Sequence, residues 1–141
     1  MLFKPSNADI EFIVSVRNDP ETRKNSRRQH ELTWLDLIDA PNGGIRETLV
    51  AKQDEANVGY VHLDRKGCSC ELSWVVAPAY RGNGIGTKMV REAVSVAGCL
   101  VVAEIKPDNI ASILIAGRCG FHFSAIHDGL LVMNHNTPQR G

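Results

Sequence analysis

Between Arg81 and Thr87 the chain reads Arg-Gly-Asn-Gly-Ile-Gly-Thr, with three glycines at alternate positions. Glycine keeps the backbone free of side-chain bulk, so the amides of Gly82, Asn83, Gly84, Ile85, Gly86 and Thr87 can close on a ligand. Behind them Met89, Val90, Ala93, Val94 and Ala97 recur at helical spacing. The loop therefore runs into a helix N-terminus, whose unpaired N–H groups and positive dipole end suit a phosphate or pyrophosphate. Two nearby side chains can handle a proton. Glu71 stands among apolar neighbours in a strand-like run, where burial would lift its pKa toward a useful value. His62 titrates in the right range unaided.

The spacing separates the families that share this physics. A P-loop needs Gly-x4-Gly-Lys-Ser/Thr, and here Thr87 precedes Lys88 without that frame. A dinucleotide fingerprint needs Gly-x-Gly-x-x-Gly, whereas these glycines run Gly-x-Gly-x-Gly. What fits is Arg-x-x-Gly-x-Gly, as Arg81, Gly84 and Gly86, directly after Val76-Ala77-Pro78.

The elements that must hold this loop can be read in order. Residues 2–5 predict a short strand, and Ser6-Asn7-Ala8-Asp9 a capping box opening a helix that stops near Asn18-Asp19-Pro20. A polar, basic stretch covers Glu21 to His30, followed by an amphipathic helix over about Glu31 to Ile38, with Leu32, Trp34, Leu35 and Ile38 on its apolar side. After the turn Pro41-Asn42-Gly43-Gly44, apolar runs at Thr48–Ala51, Val58–Leu63 and Cys68–Val76 predict three antiparallel strands. Past the glycine-loop helix, Leu100–Ile105 predicts a strand buried on both faces, and Asn109 caps a helix over Ile110 to about Arg118, with Gly120 at C′. Phe121–His127 and Leu130–Met133, joined by Asp128-Gly129, predict a closing hairpin, and residues 134–141 a loose tail. The expectation is one domain over residues 1–141, of α/β (α+β) class.

Lys and Arg number 16 against 16 Asp and Glu, so no global charge speaks for nucleic acid or a membrane surface as partner. No apolar run approaches the length that spans a bilayer, and Met-Leu-Phe-Lys-Pro-Ser lacks the apolar core of a signal peptide, which makes the cytoplasm the expected address. Cys68, Cys70, Cys99 and Cys119 lack zinc-knuckle spacing. They read as reduced thiols, and no metal is expected.

The Arg81–Gly86 loop after its strand resembles the signature of the GNAT superfamily of acetyl-CoA-dependent N-acetyltransferases. Asn109-x-x-Ser112 followed by Gly120-Phe121 resembles a second segment of that family, and the element order matches from Lys4 to about Met133. The resemblance implies a GNAT-like fold, a mixed, mostly antiparallel sheet of six to seven strands flanked by about four helices. It implies acetyl-CoA as co-substrate, pantetheine against the backbone at Val75 and Val76, pyrophosphate on Gly82 to Thr87, and Arg81 framing the loop. Asn109 and Ser112 would lie near the thioester, with capping as the competing role for Asn109. An oxyanion would be met by a backbone N–H near Val75. Glu71 is the first candidate base, His62 the second and His30 the third. Many members carry a tyrosine acid seven residues after the Asn; counting from Asn109 lands on Ala116. Tyr60, Tyr80, Ser112, Cys119 and solvent water are the substitutes.

Val16-Arg17-Asn18-Asp19-Pro20 resembles the early Arg-Asn-Asp segment of GNAT enzymes that acetylate nucleotide-linked amino sugars, though they often carry tryptophan where Val16 stands. Arg17, Arg23, Arg27 and Arg28 could then meet phosphates, with His30 and Trp34 also facing the acceptor. The expected activity is acetyl transfer from acetyl-CoA to a primary amine, on an amino sugar nucleotide in this reading. A peptide or protein N-terminus of the ribosomal-protein type is the alternative acceptor, and a non-catalytic acyl-CoA-binding module the alternative class. A homodimer is left open.

Overall fold

A computed structural model describes residues 1–136; of the expected tail, residues 137–141 lie outside the described residues. The chain begins with β1 (Leu2–Phe3) and α1 (Asn7–Arg17). Ser6 caps α1 in a complete capping box with Asp9, as its spacing predicts. Asp9 is itself buried and also accepts from Lys52 Nζ at 2.9 Å and Asn57 Nδ2 at 3.1 Å, which pins the start of α1 to the sheet. Those hydrogen bonds hold its carboxyl well below the usual carboxylate range.

The basic stretch contains a short helix that periodicity does not reveal, α2 (Pro20–Lys24), capped by Asp19 with proline at its first position. The next helix, α3 (Trp34–Leu37), is half the expected length because Thr33, with Asp36 three residues on, forms a second capping box and starts it late. Its apolar side also differs: Leu32 and Leu37 are buried, whereas Leu35 is 76% exposed and Ile38 45%.

The strands β2 (Ile45–Gln53), β3 (Ala56–Lys66) and β4 (Ser69–Val76) form an antiparallel meander. β2 and β3 outrun the apolar segments because their outer pairs carry charge, such as Arg46 opposite Asp64, while β4 starts one residue later than expected. A 3₁₀ turn (Pro78–Tyr80) leads through the glycine loop into α4 (Ile85–Ala97), then β5 (Leu100–Ile105), α5 (Ile110–Arg118), β6 (His122–His127) and β7 (Leu130–His135). The last strand thus absorbs Asn134 and His135 from the expected tail. β5 is buried on one face only: Val101, Ala103 and Ile105 are covered, while Val102 and Glu104 are half-buried. Cys68 lies in the turn before β4 and is exposed while Cys70 is buried, so the two sulfurs do not share a face.

All strands join one sheet in the order β1-β2-β3-β4-β5-β7-β6, with β4–β5 its parallel pair. The five α-helices flank it. Among the described residues, no helix is long and apolar enough to cross a membrane.

Strand alternation gives the sheet two unlike faces. On one, Leu49, Val61, Leu63, Cys70, Leu72, Val101 and Ala103 pack with Met89, Val90 and Ala93 of α4. Burying each of the large side chains there contributes roughly 1.5–3 kcal/mol. The other face is polar in rows. Register sets Arg46 beside Asp64 and Glu71, Thr48 beside His62 and Ser73, and Val50 beside Tyr60 and Val75. Only its far end is apolar, where Val50 and Tyr60 meet Ile13 and Val16 of α1.

Within that face Arg46 grips Asp64 with two bonds, Nε to Oδ1 at 2.7 Å and Nη2 to Oδ2 at 2.9 Å, and its Nη1 donates to Leu37 O at 2.9 Å. Both side chains are almost shut from solvent. Arg46→Met should therefore lower unfolding stability by about 3–5 kcal/mol, by stranding a buried carboxylate. The double variant with Asp64→Leu should recover most of that loss in a denaturant titration. Equal losses in the single and double variants would show that the pair is not the stabilising element.

Candidate active site

β4 and β5 pair through Ser69–Leu100, Cys70–Val101 and Glu71–Val102, and no further, although β4 continues to Val76 and β5 to Ile105. Beyond Glu71 the strands diverge. Ala77 N donates to Val58 O at 2.8 Å, so alternate amides of β4, Val75 included, face β3. The backbone groups of Trp74 and Val76 then face the opening. The amide sequence reasoning placed there, that of Val75, is turned into the ladder. Arg81 Nε occupies Val76 O at 3.0 Å. A cleft of about 540 Å³ fills the divergence and continues over the polar sheet face.

At one end of the cleft lies the glycine loop. Gly82 (φ +82°) and Gly84 (φ +75°) are left-handed, with open space where a Cβ would stand. Gly84 caps α4 without any side-chain bond, and the first turn has no acidic residue. The first helical bond is Lys88 N to Gly84 O at 3.3 Å, which leaves the amides of Ile85, Gly86 and Thr87 without intrahelical acceptors. This cradle fits an anion. Gly86 has a different reason to be glycine: a Cβ there would stand 2.6 Å from Ile115 Cδ1 and 3.3 Å from Val76 Cγ2, so it lets α5 and β4 close on the start of α4. Asn83 is exposed outside the cleft lining and closes the loop through Nδ2 to Arg81 O at 3.3 Å. Arg81 is more than a frame. Its guanidinium also donates to Glu21 at 2.9 Å and Thr22 Oγ1 at 3.1 Å, tying the loop to α2.

On the facing helix, Asn109 Oδ1 accepts from Ser112 N at 3.3 Å, so Asn109 is a cap, and both residues line the cleft. Ala116 is fully buried and lies outside that lining. Tyr60, Tyr80 and Ser112 line it, whereas Cys119 does not and is turned to Thr87 O. Burial pushes the Tyr60 phenol well above its ordinary value.

Where the strands part stands Glu71. Arg27 Nη2 donates to it at 3.1 Å and also to Glu104 of β5, so one guanidinium bridges both strands. Burial raises the Glu71 carboxyl above its ordinary value, while Arg27 opposes that shift. Sequence reasoning missed Glu104; the signal available was a carboxylate inside an otherwise apolar strand. His62 is buried, with Nδ1 2.7 Å from Thr48 Oγ1. Burial, then the charges of Arg46 and Arg17, depress its pKa well below 6.5, so it is neutral at physiological pH.

The remaining sequence candidates divide. Arg17 and Arg27 line the cleft, Arg17 buried and donating through Nη2 to Arg28 O. His30 is exposed and outside the lining, because it sits in the loop beyond α2. Trp34 packs against the Ile13–Val16–Tyr60 cluster rather than the cleft.

The Acetyltransferase (GNAT) domain model matches residues 1–122. N-alpha-acetyltransferase RimI of Mycobacterium tuberculosis is 29% identical over 120 residues, which cover 81% of this chain and 69% of that protein. Ribosomal-protein-alanine N-acetyltransferase of Brucella melitensis superposes with a TM-score of 0.76 at 23% identity, covering 97% of this chain and 99% of that one. Aminoglycoside acetyltransferase AAC(6')-Ib, solved with coenzyme A, gives 0.79 at 15% identity, covering 96% and 94%. At such identities the structures establish the fold, while the domain match spans most of the chain. The chain belongs to the GNAT family and is an acetyl-CoA-dependent N-acetyltransferase.

Proposed function

We propose that the acceptor is a primary amine that enters over the polar sheet face and gives its proton to Glu71. One observation carries this reading: Glu71 and Glu104, on the two diverging strands, share a single cation, Arg27 Nη2. A protonated primary amine has the same charge and three N–H donors, enough for both carboxylates, so it can take the place of that guanidinium. Removing a proton from it then falls to Glu71, whose raised pKa suits a general base.

Acetyl-CoA supplies an acetyl group already activated as a thioester. The chain's own contribution is positioning. The amides of Gly84 to Thr87 and the α4 dipole hold the pyrophosphate; the Trp74 backbone and the Val76 amide orient the arm in the cleft. His62, neutral and bonded to Thr48, is a poorer base than Glu71. Of the substitutes for the missing tyrosine, Tyr60, Tyr80 and Ser112 stand on the cleft wall, with burial pushing the Tyr60 phenol well above its ordinary value. A departing thiolate needs little help from any of them.

The acceptor's remaining part is narrowed by the arginines. Arg23 is spent on Gln29 O at 2.8 Å, Arg28 on Asp36 O at 3.3 Å and Arg27 on the carboxylates. Of the arginines considered for phosphate, Arg17 alone keeps a buried nitrogen without a partner among the described residues. An amino sugar nucleotide therefore draws on Arg17, and its Arg-Asn-Asp segment speaks for that acceptor. The likeness to RimI speaks for a peptide N-terminus.

Three outcomes follow. Thiol release with acetyl-CoA should occur with at least one member of a panel of amino sugar nucleotides, peptides and polyamines; tight cofactor binding with no release on any amine would leave a binding module instead. Gly84→Val, which forces a β-branched residue into left-handed backbone, should weaken coenzyme A binding by about tenfold or more in titration calorimetry. Unchanged affinity would remove the loop from the cofactor site. Wild-type kcat/KM should fall as pH drops through the Glu71 pKa, above the ordinary 4.5. Glu71→Gln should abolish that limb and cut turnover by about 10²–10⁴-fold with cofactor affinity retained. A full-rate variant would clear Glu71 of the base role.

A further inference from the structure

One level along the sheet from Glu71, the cleft wall holds two polar atoms that the amine chemistry leaves idle. Arg17 Nη1 and His62 Nε2 are both buried with no hydrogen-bond partner among the described residues. Their residues are 6% and 5% exposed, and both line the cleft. Each such atom left unpaired destabilises the fold, more so where it belongs to a cation. The two belong to one neighbourhood: the charge of Arg17 acts on His62 and on Tyr60, and the Tyr60 and His62 rings are 5.1 Å apart. When the Thr48 hydroxyl donates to Nδ1 of the neutral ring, Nε2 carries the hydrogen, so both idle atoms are donors.

Two donors, one of them charged, call for an anionic oxygen. His62 pairs across the strands with Ser73, whereas Glu71 pairs with Asp64. Along β4 the two levels are therefore about 7 Å apart, two residues of strand. Arg17 already holds one oxygen, the peptide carbonyl of Arg28. Arg28 lies next to Arg27, the residue bridging Glu71 and Glu104, so one short segment covers both positions.

Resting on the reading of Glu71 as the amine's base, we propose that Arg17 and His62 form a subsite for an anionic group, carboxylate or phosphate, on the molecule whose amine is acetylated. The enzyme then selects acceptors carrying both charges, about one strand-pleat repeat apart, over plain amines. Phosphate would come from a sugar or nucleotide, carboxylate from an acidic peptide side chain.

The test uses the acetyl-CoA-saturated full chain and two matched acceptor pairs: glucosamine with glucosamine 6-phosphate, and alanyl-glutamine α-amide with alanyl-glutamate α-amide. Binding is followed by calorimetry and turnover by thiol release. In at least one pair the anionic member should be favoured by about tenfold or more, the worth of one charged hydrogen bond. Which pair responds identifies the source of the anion. Arg17→Gln and His62→Gln should each pull that ratio toward one, and Arg17→Lys should retain part of it; coenzyme A binding reports that each variant is folded. Should Arg17→Gln fail to fold, His62→Gln decides. A ratio near one for both pairs in the wild type, as when a trapped water satisfies the two atoms, overturns the subsite. So does a ratio that survives in every folded variant. Acetylation of all four without preference removes the subsite and leaves Glu71 standing. Binding preference without thiol release supports the subsite and removes the base assignment.

Discussion

β4 and β5 share hydrogen bonds as far as Glu71 and Val102 and then separate, and a backbone that separates inside a sheet must find other partners for its polar groups. Much of the surrounding structure answers that demand. Arg81 takes Val76 O, and in doing so is fixed at the head of the glycine loop. Gly86 lets Ile115 and Val76 approach α4, so the helix N-terminus sits at the mouth of the opening. Arg27 spans the point of separation with a guanidinium between two carboxylates. The groups that remain free are those a phosphorylated, amide-bearing arm can use.

The sheet's two faces divide the work. One is a dry core against α4, which holds the strands rigid. The other carries Asp64, His62, Glu71 and Glu104 in reach of Arg46, Arg17 and Arg27, charges that would be costly to bury singly. The costs offset one another in pairs: Arg46 with Asp64 at depth, Arg27 with Glu71 and Glu104 nearer solvent. That arrangement keeps Glu71 in a poorly solvated place, where burial raises its carboxyl and Arg27 opposes the rise. His62 has no anion beside it, and stays neutral.

Legibility in the sequence followed the range of the interactions. The Ser6–Asp9 box, α4, α5 and the Asp128-Gly129 turn were readable because caps, periodicity and left-handed glycines are local. The loop at Gly84 was readable for the same reason, and so was the family resemblance. α3 is short because the Thr33–Asp36 box, equally local, starts it later than the looser apolar pattern implies. Trp34 looked like an acceptor contact and instead packs, half-buried, against the Ile13–Val16–Tyr60 cluster, since which way a four-residue helix faces is decided by its neighbours. Glu104 shows as a carboxylate in an apolar strand, but its pairing with Arg27, like the Arg46–Asp64 pair, was out of reach. Their meaning lies in cross-strand register and in partners many residues away, which one sequence read along its length does not display.

The roof over the cleft, residues 18 to 37, is attached quite differently from its floor. No ladder holds it. Asn18 clasps the backbone of Leu32 from both sides at 2.8 Å, Arg17 holds Arg28 O, Arg81 reaches Glu21 and Thr22, Lys106 reaches Lys24 O, and Arg46 reaches Leu37 O. About half of the fastenings join a side chain to a peptide group, indifferent to the side chain that peptide bears, whereas Glu21, Thr22 and Arg27 hold through their own side chains. Insertions and substitutions can therefore accumulate in this stretch while the strands that bind the cofactor stay untouched. In evolutionary terms the roof is the exchangeable part, and new acceptors can be acquired without rebuilding the machinery beneath it.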